Sequence, residues 1–310
     1  MDTSNETTPS VFILLPIFNL NEWHYLLLTF MLITYSFTLM GNVLIILLIF
    51  LEPGLQTPMY FFLGNLSLLD LGQTTTTVPQ IIVHLVSGMN IISYKRCKTQ
   101  LFFFLLFIGT ETLLLTAMAY DRYVAICNPL RYHVVMNLKI CAHLISASWL
   151  TSSLNATMHM LFTFRLPLCG VNEINYFYCD IPPLLAISCG DISNNIIAIL
   201  AASPVMGFGP ATCIVISYTH IIWRILKMNS SAGMRKTFST CTSHLTVVLL
   251  FFGSCIFMYI RPISNHLLNN DMIISLLNNI LSPMLNPLVY TFRNKDVKEA
   301  LRKIVKKWSL

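Results

Sequence analysis

Residues 118–127 read MAYDRYVAIC and close a long apolar run that begins near residue 98. They place an acid, Asp121, directly before a base, Arg122, at the point where a membrane helix should meet water. An arginine is costly at bilayer depth, and an adjacent carboxylate that neutralises it lowers that cost. The stretch therefore predicts a membrane helix that ends in a buried ion pair, which can be held or released. An ordinary helix-end salt bridge is the simpler interpretation of a lone Asp-Arg pair.

The composition predicts that most of the chain lies in a membrane. Of the 310 residues, 55% are hydrophobic and 10% are charged, whereas soluble domains carry roughly one quarter charged residues. A helix needs about 20 apolar residues to cross a bilayer. Seven stretches, called spans 1 to 7 in chain order, meet that length: residues 26–50, 58–86, 98–126, 140–163, 196–226, 238–261 and 272–292. The sequence predicts an all-α membrane protein, a bundle of seven transmembrane helices formed by a single domain, residues 1–310.

Lysines and arginines lie mostly on one side of this predicted bundle. The C-terminal tail and the segments after spans 3 and 5 contain Arg131, Lys139, Arg224, Lys227, Arg235, Lys236, Arg293, Lys295, Lys298, Arg302, Lys303, Lys306 and Lys307. The other side contains only Lys95, Arg96, Lys98, Arg165 and Arg261. Because cytoplasmic loops are enriched in Lys and Arg, we expect an extracellular N-terminal tail, residues 1–25, and a cytoplasmic tail, residues 294–310. The net charge of +6 needs no nucleic acid as a partner, since anionic inner-leaflet lipid attracts the same cations.

The predicted topology sorts four Asn-X-Ser/Thr sequons. Asn65 and Asn155 lie within spans, and Asn229 lies on the cytoplasmic side. Glycans are added to exposed segments on the extracellular side. Asn5 is therefore the predicted glycosylation site.

Four of the nine cysteines lie on the predicted outer side, where disulfides form and persist. They are Cys97, Cys169, Cys179 and Cys189. Four cysteines allow three pairings, and the sequence alone does not choose among them. A zinc site is the alternative, but residues 169–189 contain no histidine and the oxidising side disfavours it.

Several motifs along the chain resemble one receptor family. Asp-Arg-Tyr at the inner end of span 3 resembles the rhodopsin-like G-protein-coupled receptors, and the whole stretch 118–127 is similar to their odorant-receptor branch. Three further motifs resemble the same branch: LQTPMYFFL at 55–63, MRKTFSTCTSHL at 234–245 and PMLNPLVY at 283–290. Span 6 reads FFG at 251–253, where most rhodopsin-like receptors have a tryptophan and a kinking proline, and odorant receptors share this departure. The resemblance extends from about Leu51 to Leu301.

The resemblance implies a plasma-membrane receptor that binds small volatile molecules within the helix bundle. Its partner would be a heterotrimeric G protein of the stimulatory, olfactory class, which raises cyclic AMP. One alternative is a rhodopsin-like receptor for another small molecule, expressed outside the olfactory epithelium. A second is a seven-span transporter or channel, but transporters commonly show inverted repeats and paired broken helices, which this sequence lacks. An enzyme is not expected, because the sequence has no phosphate-binding glycine loop and no paired-carboxylate site.

The resemblance also implies roles for individual residues. It pairs Cys97 with Cys179 and Cys169 with Cys189. It places the ligand among Phe104, Leu105, Ile108, Gly109, Thr112, Ala202, Ser203, Met206, Cys255, Ile256, Tyr259, Leu276 and Asn279. It assigns activation and G-protein coupling to Asp121, Arg122, Tyr123, Tyr218, Arg235, Lys236, Asn286, Pro287 and Tyr290.

Asp70 lies in the middle of span 2, where an ionised carboxylate must find a partner or take up a proton. The resemblance supplies Asn42 and Asn286 as partners, and Glu111 of span 3 is a further polar neighbour. We therefore expect a sodium ion or a proton at this cluster, and no other cofactor. The alternative is a hydrogen-bonded packing cluster that holds no ion.

Helix geometry connects the two ends of span 3. Phe104 and Arg122 are 18 residues apart, which is five whole turns and about 27 Å of helix rise. They lie on one face at opposite ends, so a ligand near Phe104 and a partner at Arg122 can share one helix face. At the far end of the chain, residues 294–306 are amphipathic and basic, which predicts a short helix on the inner membrane surface.

Overall fold

The computed structural model describes residues 10–15, 24–168, 172–227, 231–259, 269–293 and 295–308. Seven long helices coincide with the seven predicted spans, so the predicted seven-helix fold is confirmed. Spans 1 to 7 are the helices His24–Leu51, Pro58–Ser87, Tyr94–Cys127, Leu138–Thr163, Ser193–Leu226, Ser231–Tyr259 and Asn269–Arg293. The expected tail helix follows as Lys295–Trp308, which buries Val297 and Ala300 and exposes Lys298.

Length and composition alone identify fewer spans. Among the described residues, three helices qualify on these measures, namely spans 1, 3 and 5. A fourth qualifies if Pro129–Val135 and span 4, which are bent by 63° relative to each other, count as one span. Span 2 is 30 residues long, well above the about 20 that a bilayer requires, but it carries Asp70, Gln73 and four consecutive threonines. Asp70 and Gln73 are buried inside the bundle, so the polarity that lowers the hydropathy of span 2 faces other helices.

Local sequence signals set several helix ends. Pro58 is the first residue of span 2, where its missing N–H would have no helical partner. Span 2 ends at Gly88, whose φ of 67° is accessible to glycine at little cost, and the Gly88 N–H donates to the His84 carbonyl. Span 3 begins after Ser93, whose hydroxyl oxygen accepts from the Arg96 N–H. Span 4 begins after Asn137, whose side-chain oxygen accepts from the Ile140 N–H at 3.0 Å.

Span 5 is interrupted in its middle. The α-helix Ser193–Ser203 passes into a π-helical turn, Pro204–Phe208, and then into the α-helix Gly209–Leu226. A Cβ atom on Gly209 would clash with the Pro204 carbonyl oxygen, so this wider turn requires a glycine. Such π-turns are often found at functional sites.

A small β-sheet at one end of the bundle was not predicted. Strand β1, Val11–Leu14, lies between β2, Ile91–Ser93, and β3, Glu173–Ile174. β1 is antiparallel to β2 and parallel to β3, and it alternates exposed and buried residues, with Phe12 and Leu14 buried. The predicted N-terminal tail therefore contains a strand that joins the loops after spans 2 and 4. The fold is the expected helical bundle, with a short three-stranded sheet added at one end.

The apolar core divides along the bundle axis into two clusters. One surrounds the disulfide end and includes Phe12, Phe104 and Leu276. The other surrounds the end that carries Asp121 and includes Met118 and Ile221. Polar side chains of spans 1, 2, 3 and 7 lie buried between these ends.

Candidate functional site

A disulfide between Cys97 and Cys179 attaches the start of span 3 to the loop that follows span 4. Gln100, one turn further along span 3, supports the same attachment. Its side-chain oxygen accepts from the Cys179 N–H at 3.0 Å, and its amide nitrogen donates to the Thr76 carbonyl at 3.0 Å. Cys189 is also disulfide-bonded, and its predicted partner Cys169 lies outside the described residues.

Beside this disulfide, Tyr178 of the loop enters the bundle. Its side chain is fully buried, and its ring centroid lies 5.0 Å from that of Phe104 on span 3. Its hydroxyl lies 3.0 Å from the Ser275 hydroxyl and accepts from the Asn279 amide at 3.4 Å, both on span 7. Tyr178 therefore connects the loop to two spans that the sequence assigns to the ligand.

Asp180, also on this loop, is a buried acid that sequence reasoning missed. Its carboxylate caps the short helix Ile181–Ala186 by accepting from the Ile181 N–H at 2.7 Å, and its other oxygen accepts from the Tyr178 hydroxyl at 3.5 Å. Burial raises the pKa of Asp180 to about 6, although both hydrogen bonds act in the opposite direction. The available sequence signal was its position directly after Cys179, whose disulfide fixes this part of the loop.

The predicted ligand residues on spans 3 and 7 face the bundle interior. Phe104, Leu105, Gly109, Thr112, Leu276 and Asn279 are buried, and Ile108 is half-buried. Within span 3, the Thr112 hydroxyl donates to the Ile108 carbonyl at 2.9 Å. Thr112 therefore offers lone pairs, rather than a proton, to any ligand.

The ligand residues predicted on spans 5 and 6 are less uniformly enclosed. A Cβ atom on Gly109 would lie 3.7 Å from the Met206 sulfur, so spans 3 and 5 approach closely there. Ala202, Ser203 and Met206 are half-buried, and the Ser203 hydroxyl donates to the Leu200 carbonyl at 2.8 Å. Cys255 lies within electrostatic range of Asp180, which places span 6 beside the loop. The side chains of Ile256 and Tyr259 lie outside the described part of the chain.

Asp70 is held by span 7. The Asn286 amide donates to both Asp70 oxygens, at 3.0 and 3.1 Å. The Asn42 amide donates to the Pro283 carbonyl at 3.1 Å, so span 1 is attached to the same stretch of span 7. A Cβ atom on Gly41 would lie 3.1 Å from Pro287, which shows how closely spans 1 and 7 pack here.

Several buried oxygen atoms of spans 1, 2, 3 and 7 have no hydrogen-bond partner among the described residues. They are Asn42 Oδ1, Gln73 Oε1, Glu111 Oε1, Glu111 Oε2 and Ser282 Oγ. Glu111 lies within electrostatic range of Asp70. No group of three or more His, Cys, Asp or Glu side chains suited to a metal occurs in the described part of the chain. An oxygen-only set of this kind fits a hard cation or ordered water.

At the opposite end of the bundle, Asp121 and Arg122 form the predicted ion pair. Arg122 Nε donates to Asp121 Oδ2 at 2.9 Å, and Arg122 Nη2 donates to the same oxygen. The other carboxylate oxygen accepts from the Tyr132 hydroxyl at 2.8 Å. Asp121 is 1% exposed, so this is a buried pair. Tyr132, on the short helix Tyr132–Val135, was not predicted.

Comparison with known proteins fits this architecture. The sequence model described as olfactory receptor matches residues 30–307. This chain belongs to the olfactory receptor family. It is 42% identical to "Olfactory receptor 1C1" of Homo sapiens over 307 residues, covering 99% of this chain and 98% of that protein. It is 45% identical to "Olfactory receptor 5AP2" of Mus musculus over 98% of this chain and 96% of that protein, and 47% identical to "Olfactory receptor 10AG1" of Homo sapiens over 96% and 98%.

Membership in the olfactory receptor family establishes the class of protein. The chain is a multi-pass plasma-membrane receptor of the G-protein-coupled type, and its relatives are receptors rather than enzymes, which favours the receptor interpretation over a transporter or channel. In this olfactory receptor, the helices near the ion pair bring together residues from three spans.

Tyr218 of span 5 and His244 of span 6 form a buried pair beside Arg122. The Tyr218 hydroxyl lies 2.5 Å from His244 Nδ1, and the rings are nearly parallel with centroids 5.8 Å apart. Arg122 lies within electrostatic range of His244. Tyr218 is one of the predicted coupling residues, whereas His244 is not, although it lies in the motif at 234–245. Among the other predicted coupling residues, Tyr123 contacts His220 edge to face. Asn286 and Pro287 are buried. The side chains of Arg235, Lys236 and Tyr290 lie outside the described residues.

Proposed function

We propose that this olfactory receptor binds a small volatile molecule beside Tyr178 and activates a heterotrimeric G protein of the stimulatory, olfactory class, which raises cyclic AMP. The observation that carries the proposal is the contact of Tyr178 with both Phe104 and Asn279. This contact brings the outer loop, span 3 and span 7 together at one place. Residues from the same three elements would then sense a bound ligand together.

Charge distribution supports the proposed orientation. Arg131, Lys139, Arg224 and Lys227 are exposed at the end of the bundle that carries Asp121 and Arg122. The exposed cations Lys298, Arg302, Lys303 and Lys306 lie on the tail helix. Because cytoplasmic segments are enriched in Lys and Arg, we assign that end to the cytoplasm and the strand β1 to the outside. A glycan at Asn5 would also lie outside, although Asn5 falls beyond the described residues.

The chemistry of the proposed pocket suits a mostly apolar ligand with one or two polar atoms. Apolar walls contribute about 25 cal/mol for each Å² of buried apolar area, and immobilising the ligand opposes this gain. Micromolar affinity is therefore the expected scale. Thr112 and Ser203 donate their hydroxyl protons to their own helices, so their lone pairs favour a ligand that donates a hydrogen bond, such as an alcohol.

Span 3 provides the proposed route from ligand to G protein. Phe104 and Arg122 lie about 27 Å apart along one continuous helix. Arg122 is held by Asp121, and Asp121 is held by Tyr132. We infer that ligand binding shifts span 3 relative to spans 5 and 6, which frees Arg122 for the G protein.

We also infer that the Asp70 cluster holds a sodium ion or a proton in the inactive receptor. The support is the set of buried oxygens on Asn42, Gln73, Glu111 and Ser282 that have no hydrogen-bond partner among the described residues. Sodium is a hard cation that prefers oxygen ligands. Ordered water is the alternative occupant, since the same atoms can accept hydrogen bonds from water. The bound ion would be supported if agonist potency changes with the external sodium concentration and this dependence is lost in Glu111→Gln.

The proposal is tested by first screening volatile molecules for cyclic AMP production in cells that express the receptor. The agonist found is then titrated on Ile108→Ala, Asn279→Ala, Ser203→Ala and Tyr259→Phe at matched surface expression. Leu200→Ala is the matched control, because Leu200 lies on span 5 and is 65% exposed to the bilayer. We expect weaker agonist potency in the pocket variants and wild-type potency in the control. Unchanged potency in all four pocket variants would show that the ligand binds elsewhere.

A further inference from the structure

A cavity lies on the lipid-facing side of the bundle, between spans 3, 4 and 5. Its volume is about 610 Å³. We call it the side groove, and define it by Thr116 and Tyr123 of span 3, Ala147 and Ser148 of span 4, and Ser217 and His220 of span 5. None of the predicted ligand residues whose side chains the structure describes lines it. The side groove is therefore distinct from the proposed odorant pocket.

The side groove occupies one half of the membrane thickness. Its lining on span 3 runs from Leu113 to Tyr123, which corresponds to about 15 Å of helix rise. The hydrocarbon core of a bilayer is about 30 Å thick, so the groove matches one leaflet. It lies in the half that carries Asp121, and Ala147, Ile216 and His220 on its rim are exposed. Its mouth therefore opens toward lipid.

Hydrogen bonding within the helices leaves the groove with acceptors. The Ser148 hydroxyl donates to the Leu144 carbonyl at 2.8 Å, and the Thr116 hydroxyl donates to the Thr112 carbonyl at 2.9 Å. His220 Nδ1 lies 2.9 Å from the Ile216 carbonyl oxygen. A carbonyl can only accept, so Nδ1 carries the proton and the Nε2 atom of the neutral ring is an acceptor. Each of these three side chains therefore offers lone pairs to a ligand.

The charges of the lining restrict the kind of lipid. Among the described residues, those that line the side groove include no Lys, Arg, Asp or Glu. A phospholipid headgroup carries a phosphate, which proteins usually bind with Arg, Lys or backbone N–H groups. A sterol has a rigid apolar body and one hydroxyl that can donate a hydrogen bond. It fits apolar walls with a few acceptors, whereas a phospholipid headgroup does not.

We propose that the side groove binds a sterol from the leaflet on the Asp121 side, which the proposed orientation makes cytoplasmic. The sterol hydroxyl points toward the membrane surface and donates to His220 Nε2. Tyr123 and His220, whose ring centroids are 5.8 Å apart, form the polar end of the groove. The apolar rings lie along spans 3, 4 and 5 toward the bilayer centre. Tyr123 directly follows Arg122, and Ser217 directly precedes Tyr218, so the bound sterol lies next to the ion pair and the Tyr218–His244 pair.

The test uses purified full-length receptor in phosphatidylcholine nanodiscs and a photoreactive cholesterol analogue, with cross-linked peptides mapped by mass spectrometry. Ala147→Phe fills the groove from its exposed rim. Ala142→Phe is the matched control, since Ala142 is exposed on the same helix but does not line the groove. His220→Leu removes the hydrogen-bond acceptor and puts an apolar side chain in its place. Competition with cholesterol is compared with competition by its methyl ether, which has no hydroxyl donor.

We expect labelling of span 3 to 5 peptides that cholesterol competes away and its methyl ether does not. Labelling should fall to background in Ala147→Phe, weaken in His220→Leu and remain in Ala142→Phe. Equal labelling in Ala147→Phe and the wild type would overturn the proposal. So would equal labelling of the groove by a photoreactive phosphatidylcholine that cholesterol does not displace. The assay contains no odorant and no G protein, so its outcome is separate from that of the proposed signalling function.

Discussion

Asp180 illustrates how the fold changes the chemistry of a single side chain. Its carboxyl is 2% exposed, and burial raises its pKa from an ordinary 3.8 to about 6. Between these two values the folded receptor binds more protons than the unfolded chain. The contribution of Asp180 to the free energy of unfolding is therefore fully present below the unfolded pKa and is lost as the pH rises through about 6. The size of the effect is roughly 3 kcal/mol.

We predict that Asp180→Asn removes this pH dependence, because asparagine keeps the capping oxygen but does not ionise. The melting temperature of purified wild-type receptor should fall relative to that of Asp180→Asn as the pH is raised from about 5 to 7.5. Asp191→Asn is the control, since Asp191 is exposed and hydrogen bonds from Ser193 lower the pKa of its carboxyl. That lowered pKa puts its titration below the tested range. If the melting temperatures of the wild type and Asp180→Asn change with pH in the same way, this account is contradicted.

The strand β1 shows what a short element at the end of the chain contributes. Phe12 and Leu14 are buried against the loops, whereas Val11 and Ile13 are 38% and 41% exposed. Backbone hydrogen bonds join Ile13 to Asn172, at 2.8 Å, and Leu15 to Ile174, at 3.0 Å. The strand therefore attaches the N-terminal segment to the same loop that carries Tyr178.

We predict that Phe12→Ala destabilises the outer end of the receptor by about 3–5 kcal/mol, the usual cost of removing a fully buried phenylalanine side chain. The measurement is thermal unfolding of the purified receptor, combined with surface expression by flow cytometry. Val11→Ala, at the neighbouring exposed position, should behave like the wild type. If both variants express and unfold alike, β1 does not contribute to stability.

The sequence predicted the elements far better than it predicted their contacts. The seven helices follow from local apolar runs, and the Asp121–Arg122 pair follows from adjacent residues. The strands β1, β2 and β3 contain 4, 3 and 2 residues and exist only because distant segments pair, so no local periodicity revealed them. Tyr178, Asp180 and Tyr132 were missed for a related reason, since each acts through a partner that the chain brings near only on folding.

At the scale of the whole molecule, one covalent bond joins the outer loop to the bundle. Cys97 and Cys179 are separated by 82 positions in the sequence. Closing a loop of this size restricts the unfolded chain by about 4.5 kcal/mol in the chain-entropy model. The bond also fixes Tyr178 and Asp180 next to span 3.

We predict that Cys97→Ser lowers stability by a few kcal/mol and causes retention of the receptor inside the cell. Surface labelling of intact cells, normalised to total receptor, measures this directly. The free, half-buried Cys127 supplies the control Cys127→Ser, which should reach the surface. Wild-type surface levels of Cys97→Ser would show that the disulfide is dispensable for folding.

The central claim is that a ligand near Phe104 and Tyr178 signals through Arg122 at the other end of span 3. It is tested most directly by Arg122→Ala, compared with the wild type at matched surface expression for both agonist binding and cyclic AMP production. We predict that the variant still binds the agonist with near wild-type affinity and produces no agonist-stimulated cyclic AMP, because Arg122 lies about 27 Å from the pocket by helix rise. A full cyclic AMP response from Arg122→Ala would contradict the claim.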